Sequence, residues 1–146
     1  MGLDMYLFKK TEKKVAYWRK ANAIHNWFVK NIQDGNDDCK DYTVSTYQLE
    51  TLLDVIRTVL KSIKLVDGDI TNGMTLDKDG KLNPILEKGK IIKNPSIARK
   101  LLPTTKGFFF GGTDYDQYYY RDLIYTEKKL KEIIKKDGDY YYSSSW

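Results

Sequence analysis

The chain has one cysteine and one histidine, Cys39 and His25, among its 146 residues. One cysteine closes no internal disulfide, and one cysteine with one histidine makes no ordinary zinc site. No apolar run approaches the ~18 residues that a membrane span needs. The opening MGLDMYLFKK has no apolar core long enough for a secretory leader. Gly2 does not start a myristoylation motif, because position 6 is tyrosine rather than serine or threonine. A lone thiol and no leader set a cytoplasmic location as the expectation. No Gly-Lys-Ser/Thr follows a glycine loop, which excludes a Walker A site, and GxGxxG is absent, which excludes a dinucleotide fingerprint.

What is present is charge and tyrosine. The formal net charge is +5, with 31% charged and 41% hydrophobic residues, a balance that predicts a single globular domain over 1–146. Between Lys9 and Lys30 seven basic residues face Glu12 alone, and between Lys88 and Lys106 six meet no acid. From Asp34 to Asp54 the sign reverses. If the basic segments meet, they form a field that attracts phosphate-bearing partners. Lysine-rich segments are more often plain solvated faces, and lysine's dominance over arginine argues against bidentate readout. Twelve tyrosines include the runs Tyr118–Tyr120 and Tyr140–Tyr142. Three neighbours cannot all enter one core, so part of each run is interface or pocket material.

Periodicity predicts an α+β fold, with about three main helices packed on a small antiparallel sheet. Leu3, Met5 and Leu7 alternate with Asp4, Tyr6 and Phe8, which reads as a strand over 2–8. Residues 12–33 read as one helix, with stripes Tyr17, Ala21, Ile24, Phe28 and Val15, Trp18, His25, Ile32. Ser45 and Gln48 form a capping-box pair ahead of the stripe Leu49, Leu52, Leu53, Ile56, Leu60, Ile63, with Gly68 as its stop. Residues 67–97 read as a hairpin and extended insertion turning at Asp77–Gly80. That turn fails as an EF-hand, because Thr75 and Leu86 stand at its end positions. One or two helical turns follow Pro95. Lys106–Phe110 reads as a buried strand, Thr113 or Asp114 as the cap of a helix to about Lys136, and 139–146 as a tail, loose or at a sheet edge.

Two constellations could carry ligand chemistry. A strand, then Gly111 and Gly112, then a helix start would place free amides and the positive helix end together, with Lys106 nearby and Phe109, Thr113 and Tyr115 alongside. Trp18, Arg19, Asn22, His25 and Asn26, on one helix, would offer stacking, charge and hydrogen bonds to a planar ligand. The blander alternatives are an ordinary tight turn for the glycines and core roles for Trp18 and His25. No metal or cofactor is expected: Asp37, Asp38 and Asp41 read as a solvated acidic loop, and His25 with Cys39 has no local signature of a nucleophile and base.

The strings MGLDMYL, YWRKANAIHNWFV, DDCKDYTVS, LLPT and GFFFGGTDYDQYYYRDL resemble a family of small phage and prophage proteins, mostly without assigned function. The resemblance covers roughly residues 1–65 and 100–127. It implies a protein of the host cytoplasm made during infection, and no activity. Such proteins often antagonise bacterial defence. The expectation is a non-enzymatic anti-defence protein that sequesters a small anionic ligand, a nucleotide immune signal. One alternative is a protein–protein inhibitor of a host defence or CRISPR enzyme, and another is a nucleic-acid-binding protein. Homo-oligomerisation stays open, since symmetry can build pockets between subunits.

Overall fold

The computed structural model describes residues 2–11, 13–107, 109–136 and 138–146. Its elements in order are β1 (Asp4–Lys9), β2 (Lys13–Arg19), α1 (Asn22–Asn31), β3 (Tyr42–Val44), α2 (Thr46–Ser62), β4 (Leu65–Leu76), β5 (Leu82–Ile92), α3 (Ser96–Leu101), α4 (Gln117–Ile134) and β6 (Tyr140–Ser145). The fold is α+β, with α1, α2 and α4 as the main helices and α3 a short fourth.

One antiparallel sheet runs β2-β1-β6-β3. Its inner face presents Leu3, Met5, Leu7, Ala16, Trp18, Val44, Tyr140 and Tyr142 to the core. Ile24 and Phe28 from α1 meet that face, and the Phe28 ring stacks on Tyr142 at 4.0 Å. The outer face is an aromatic row in which Tyr6 pairs with Tyr17 and Phe8 with Tyr141, ring centroids 5.2 and 4.9 Å apart. The helices α2 and α4 lie against each other, burying Leu49, Leu52, Leu53, Ile56 and Val59 from one and Tyr119, Leu123, Thr126, Leu130 and Ile133 from the other. Leu60 and Ile63 pack at the core's margin. The capping box of Ser45 with Gln48 is formed on both sides.

The strands β4 and β5 form a separate two-stranded arm turning at Asp77–Gly80. They are longer than the turn signals suggest, because the pairing extends back to Leu65 and Ile92. The helix α2 therefore ends at Ile63, and Gly68 lies inside β4, where a Cβ would strike Ile91.

Four expectations are corrected. The helix expected over 12–33 divides into β2 and α1. Ala16 and Trp18 point inward while Tyr17 and Arg19 point outward, a period of two that lets β2 pair with β1. Lys20, at φ 56°, turns the chain between the two elements. The strand expected over Lys106–Phe110 is an irregular loop, with the Phe110 amide donating to the Gly107 carbonyl; Phe108 lies outside the described residues. Asp116, not Thr113 or Asp114, caps α4 by accepting from the amides of Tyr118 and Tyr119. The expected tail is β6, an inner strand bonded on one side to β1 and on the other to β3.

Phe28 is wholly buried between the sheet and α1. Phe28→Ala is expected to lower stability by roughly 3–5 kcal/mol, the cost of a large buried ring and the cavity left behind. Urea unfolding followed by tryptophan fluorescence reads this directly.

Candidate functional site

A groove of about 810 Å³ opens where the end of β2, the start of α1, the loop 104–112, the first turns of α4 and the outer half of β4 converge. That volume is in the usual range of small-molecule sites. The groove is built on Asn22. Its buried side-chain amide donates to the carbonyls of Phe110 at 2.9 Å and Gly112 at 2.8 Å, and its oxygen accepts from the Thr105 amide at 3.0 Å. One side chain thus satisfies three backbone groups of a loop that has no ladder of its own. Gly111 sits at φ +80°, and a Cβ there would press on the Lys20 side chain at 3.1 Å. Glycine is needed here for both backbone angle and space. On the opposite wall, Trp18 donates from Nε1 to the Thr126 hydroxyl at 2.8 Å, which fixes α4 against β2.

The helix end that opens on this groove belongs to α1 and not to α4. Asp116 occupies the first amides of α4. Ala21, at the N-cap of α1, carries no capping side chain, and the first turn of α1 holds no acid. Among the described residues the amides of Ala23 and Ile24 have no hydrogen-bond partner. Arg19 and Lys20 line the groove beside that turn, and Arg121 lines it from α4. Arg19 reaches Asp4 at 3.4 Å, a half-exposed pair worth little. The positive helix end and the cations together favour an anion.

The acidic lining is Asp114, Asp116 and Asp122. Burial pushes the Asp122 carboxyl up to about 7; the Asp116 charge adds to this and Arg121 opposes it. Burial also raises Asp116, against the two amides it accepts.

Of the residues expected to form the site, Arg19, Asn22, Phe109, Gly111 and Gly112 line the groove. Trp18 is a core residue. His25 is wholly buried elsewhere, its Nε2 3.0 Å from Asp37 and its Nδ1 on the Tyr142 hydroxyl. Burial holds its pKa below the usual value, so the neutral ring donates to Asp37 and accepts from Tyr142. Asn26 donates to the Pro103 carbonyl at 3.3 Å, away from the groove. Lys106 is exposed and outside the groove lining. Thr113 and Tyr115 serve the loop, the first as a carbonyl accepting from the Thr104 hydroxyl and the second as a hydroxyl accepting from the Thr104 amide. Sequence reasoning missed Lys20, Arg121 and Asp122. The uncapped Ala21 was the available signal, hidden by a helical stripe that continues across the β2–α1 boundary.

The other chemical candidates are occupied. Asp37 also accepts from Trp146 Nε1 at 3.1 Å, and Asp38 accepts from the Tyr42 hydroxyl at 2.7 Å. Among the described residues no three acidic, histidine or cysteine side chains form a group able to hold a metal. Cys39 is exposed with its pKa raised, chiefly by partial burial, which leaves it a thiol. No family model, curated protein or solved structure matches the chain.

Two outcomes test this geometry. Asn22→Ala unties three backbone groups and is expected to cost roughly 2–4 kcal/mol, with new proteolytic cleavage confined to 104–112. Asp122 is protonated more readily in the fold than its ordinary value of 3.8 allows. Its stabilising contribution is therefore fully present below about pH 4 and lost as pH rises through about 7. Asp122→Asn removes that loss, so the variant should gain roughly 3 kcal/mol over the parent between pH 4 and pH 7. A gap between the two unfolding curves that does not change with pH would exclude it.

Proposed function

We propose that the protein binds a small phosphate-bearing ligand in this groove and holds it without turnover. The observation that carries the reading is the start of α1: unbonded first-turn amides, no capping side chain, and Arg19 and Lys20 on the same groove. Phosphate needs this combination of directed donors and mobile positive charge. The aromatic rings of Phe109 and Tyr118, also in the lining, suit the organic part of a nucleotide. Taken with the resemblance to small phage proteins, the fitting class is a nucleotide immune signal, sequestered in the host cytoplasm. Among the described residues no helix is long and apolar enough to cross a membrane.

A second reading, inhibition of a host protein, draws on the arm. Leu76 pairs with Leu82 and Met74 with Pro84 at its far end, so these side chains share one face of the ribbon. Met74, Leu76, Leu82 and Leu86 are all exposed. Apolar patches of this kind mark interaction surfaces. A basic nucleic-acid interface finds less support, because the groove mixes Arg19, Lys20 and Arg121 with Asp114, Asp116 and Asp122.

Purified, nuclease-treated protein should release a stoichiometric nucleotide on denaturation, read by absorbance and mass spectrometry. In calorimetry, inorganic tripolyphosphate should bind, and Lys20→Ala should weaken it about tenfold, the loss of one charge-assisted contact. A blank in both assays would sink the ligand reading and move attention to the arm, where Leu76→Asp with Leu82→Asp should abolish capture of a host protein.

A further inference from the structure

Of the three groove-lining carboxylates, Asp114 is exposed, and Asp122 is the one partly buried carboxylate that the fold does not itself employ. Asp116 is consumed as the cap of α4. Outside the groove, Asp4 accepts from Tyr17 and Arg19, Asp37 from His25 and Trp146, and Asp77 from two backbone amides and Asn83. Asp122 lines the groove from the second turn of α4, half-buried. Among the described residues no donor hydrogen-bonds to its carboxylate and no cation lies within ion-pair distance, although the Arg121 charge acts on it. Its backbone, by contrast, is fixed: its carbonyl accepts from the Thr126 hydroxyl at 2.7 Å, and that hydroxyl is held in turn by Trp18.

A half-buried carboxylate without donors is a costly placement, and burial raises its pKa, as expected of a carboxylate that the fold leaves without donors. The lining around it makes no hydrogen bond to it: Arg121 acts on it only through its charge, Leu123 is apolar, and Thr71, Gly73 and Met74 form the arm's side of the groove. Its acceptor positions are open to donors on a ligand. A carboxylate presents two oxygens side by side, and its best partner is a pair of parallel N–H groups. Among purine edges, guanine offers that pair in its ring N–H and adjacent exocyclic amine. Adenine sets one donor beside a ring-nitrogen acceptor, which a carboxylate oxygen repels.

We infer that Asp122 reads the base of the bound ligand, and that the ligand is a guanine nucleotide whose phosphates lie at the start of α1 and whose base edge meets the Asp122 carboxylate. The inference rests on the phosphate reading above and narrows it to one base. Asp122 acts here as a specificity determinant and takes no part in bond making.

The test is calorimetry at one ionic strength with GTP, ATP and inorganic tripolyphosphate, on the parent protein and on Asp122→Asn. The parent should bind GTP at least tenfold more tightly than ATP. Asparagine replaces the acceptor pair by one acceptor and one donor, which complements adenine. Asp122→Asn should therefore erase or invert the preference, while tripolyphosphate, which has no base, should bind at least as tightly as it does to the parent. Simple damage to the fold would weaken all three ligands together and could not invert the ratio. If tripolyphosphate binds but the GTP-to-ATP ratio is flat, or is the same in the variant, Asp122 does not read the base and only this inference falls. If neither tripolyphosphate nor either nucleotide binds, the phosphate reading falls and takes the inference with it.

Discussion

The groove exists because a single buried amide, that of Asn22, organises a loop that could not organise itself. Among the described residues of 104–112 none lies in a strand, one backbone bond from the Leu3 amide reaches the Phe109 carbonyl, and the glycines give the stretch little intrinsic preference. Three of its backbone groups are satisfied by one side chain at the start of α1. That arrangement has a second effect. Asn22 is spent on the loop, Ala21 has nothing to offer, and the first turn of α1 is left uncapped on the side where the loop turns away. The same constraint that builds one wall of the site thus exposes the donors at its floor. The indole of Trp18, bonded to Thr126, does the equivalent work for the wall formed by α4.

Much of the scaffold was legible because it is locally encoded. The capping box of Ser45 and Gln48, the stripe of α2, the helix running to about Lys136 and the turn at Asp77–Gly80 all depend on neighbours within a few residues. The misreadings share one cause, which is pairing partners distant in sequence. Tyr17, Ala21, Ile24 and Phe28 keep helical spacing across the real boundary, so only the availability of β1 decides that Lys13–Arg19 is a strand. Thr113, Asp114 and Asp116 are all competent caps. The choice falls on Asp116 because Tyr115 and Asp116 are drawn onto β5, where the Ile92 amide donates to the Tyr115 carbonyl. The tyrosine run of β6 alternates as its position demands: Tyr140 and Tyr142 enter the core and Tyr141 stacks on Phe8. For the site, Arg19, Asn22, Phe109, Gly111 and Gly112 were readable as polar or glycine-rich signals. Lys20, Arg121 and Asp122 were not, since a charged residue announces no location until the elements around it are placed.

The residues with the most catalytic appearance turn out to hold the sheet. His25, Asp37 and Tyr142 form a continuous chain, closed by Trp146. Its members come from α1, from the loop before β3, and from β6 and the residue after it. Each polar atom of the histidine has a partner, so a ring that would be costly to bury alone becomes a specific fastener. Burial keeps that ring neutral and raises Tyr142 well above its ordinary value. The chain has no opening toward a substrate, because His25 is wholly enclosed.

The inner position of β6 governs how the protein is assembled in time. Lys9 meets Tyr140, and Asp4 meets Ser145, so the central pairing of the sheet joins two segments with nearly the entire described sequence between them. Contacts of that separation form slowly, because the closing entropy is spent before they return any stability. Until β6 inserts, β1 and β3 each present an unpaired edge, with aromatic side chains on the outer side of β1. A nascent or partly opened chain is thus a template for strand pairing with its neighbours. The protein's vulnerability to aggregation is set by how quickly one short tyrosine–serine strand finds its slot.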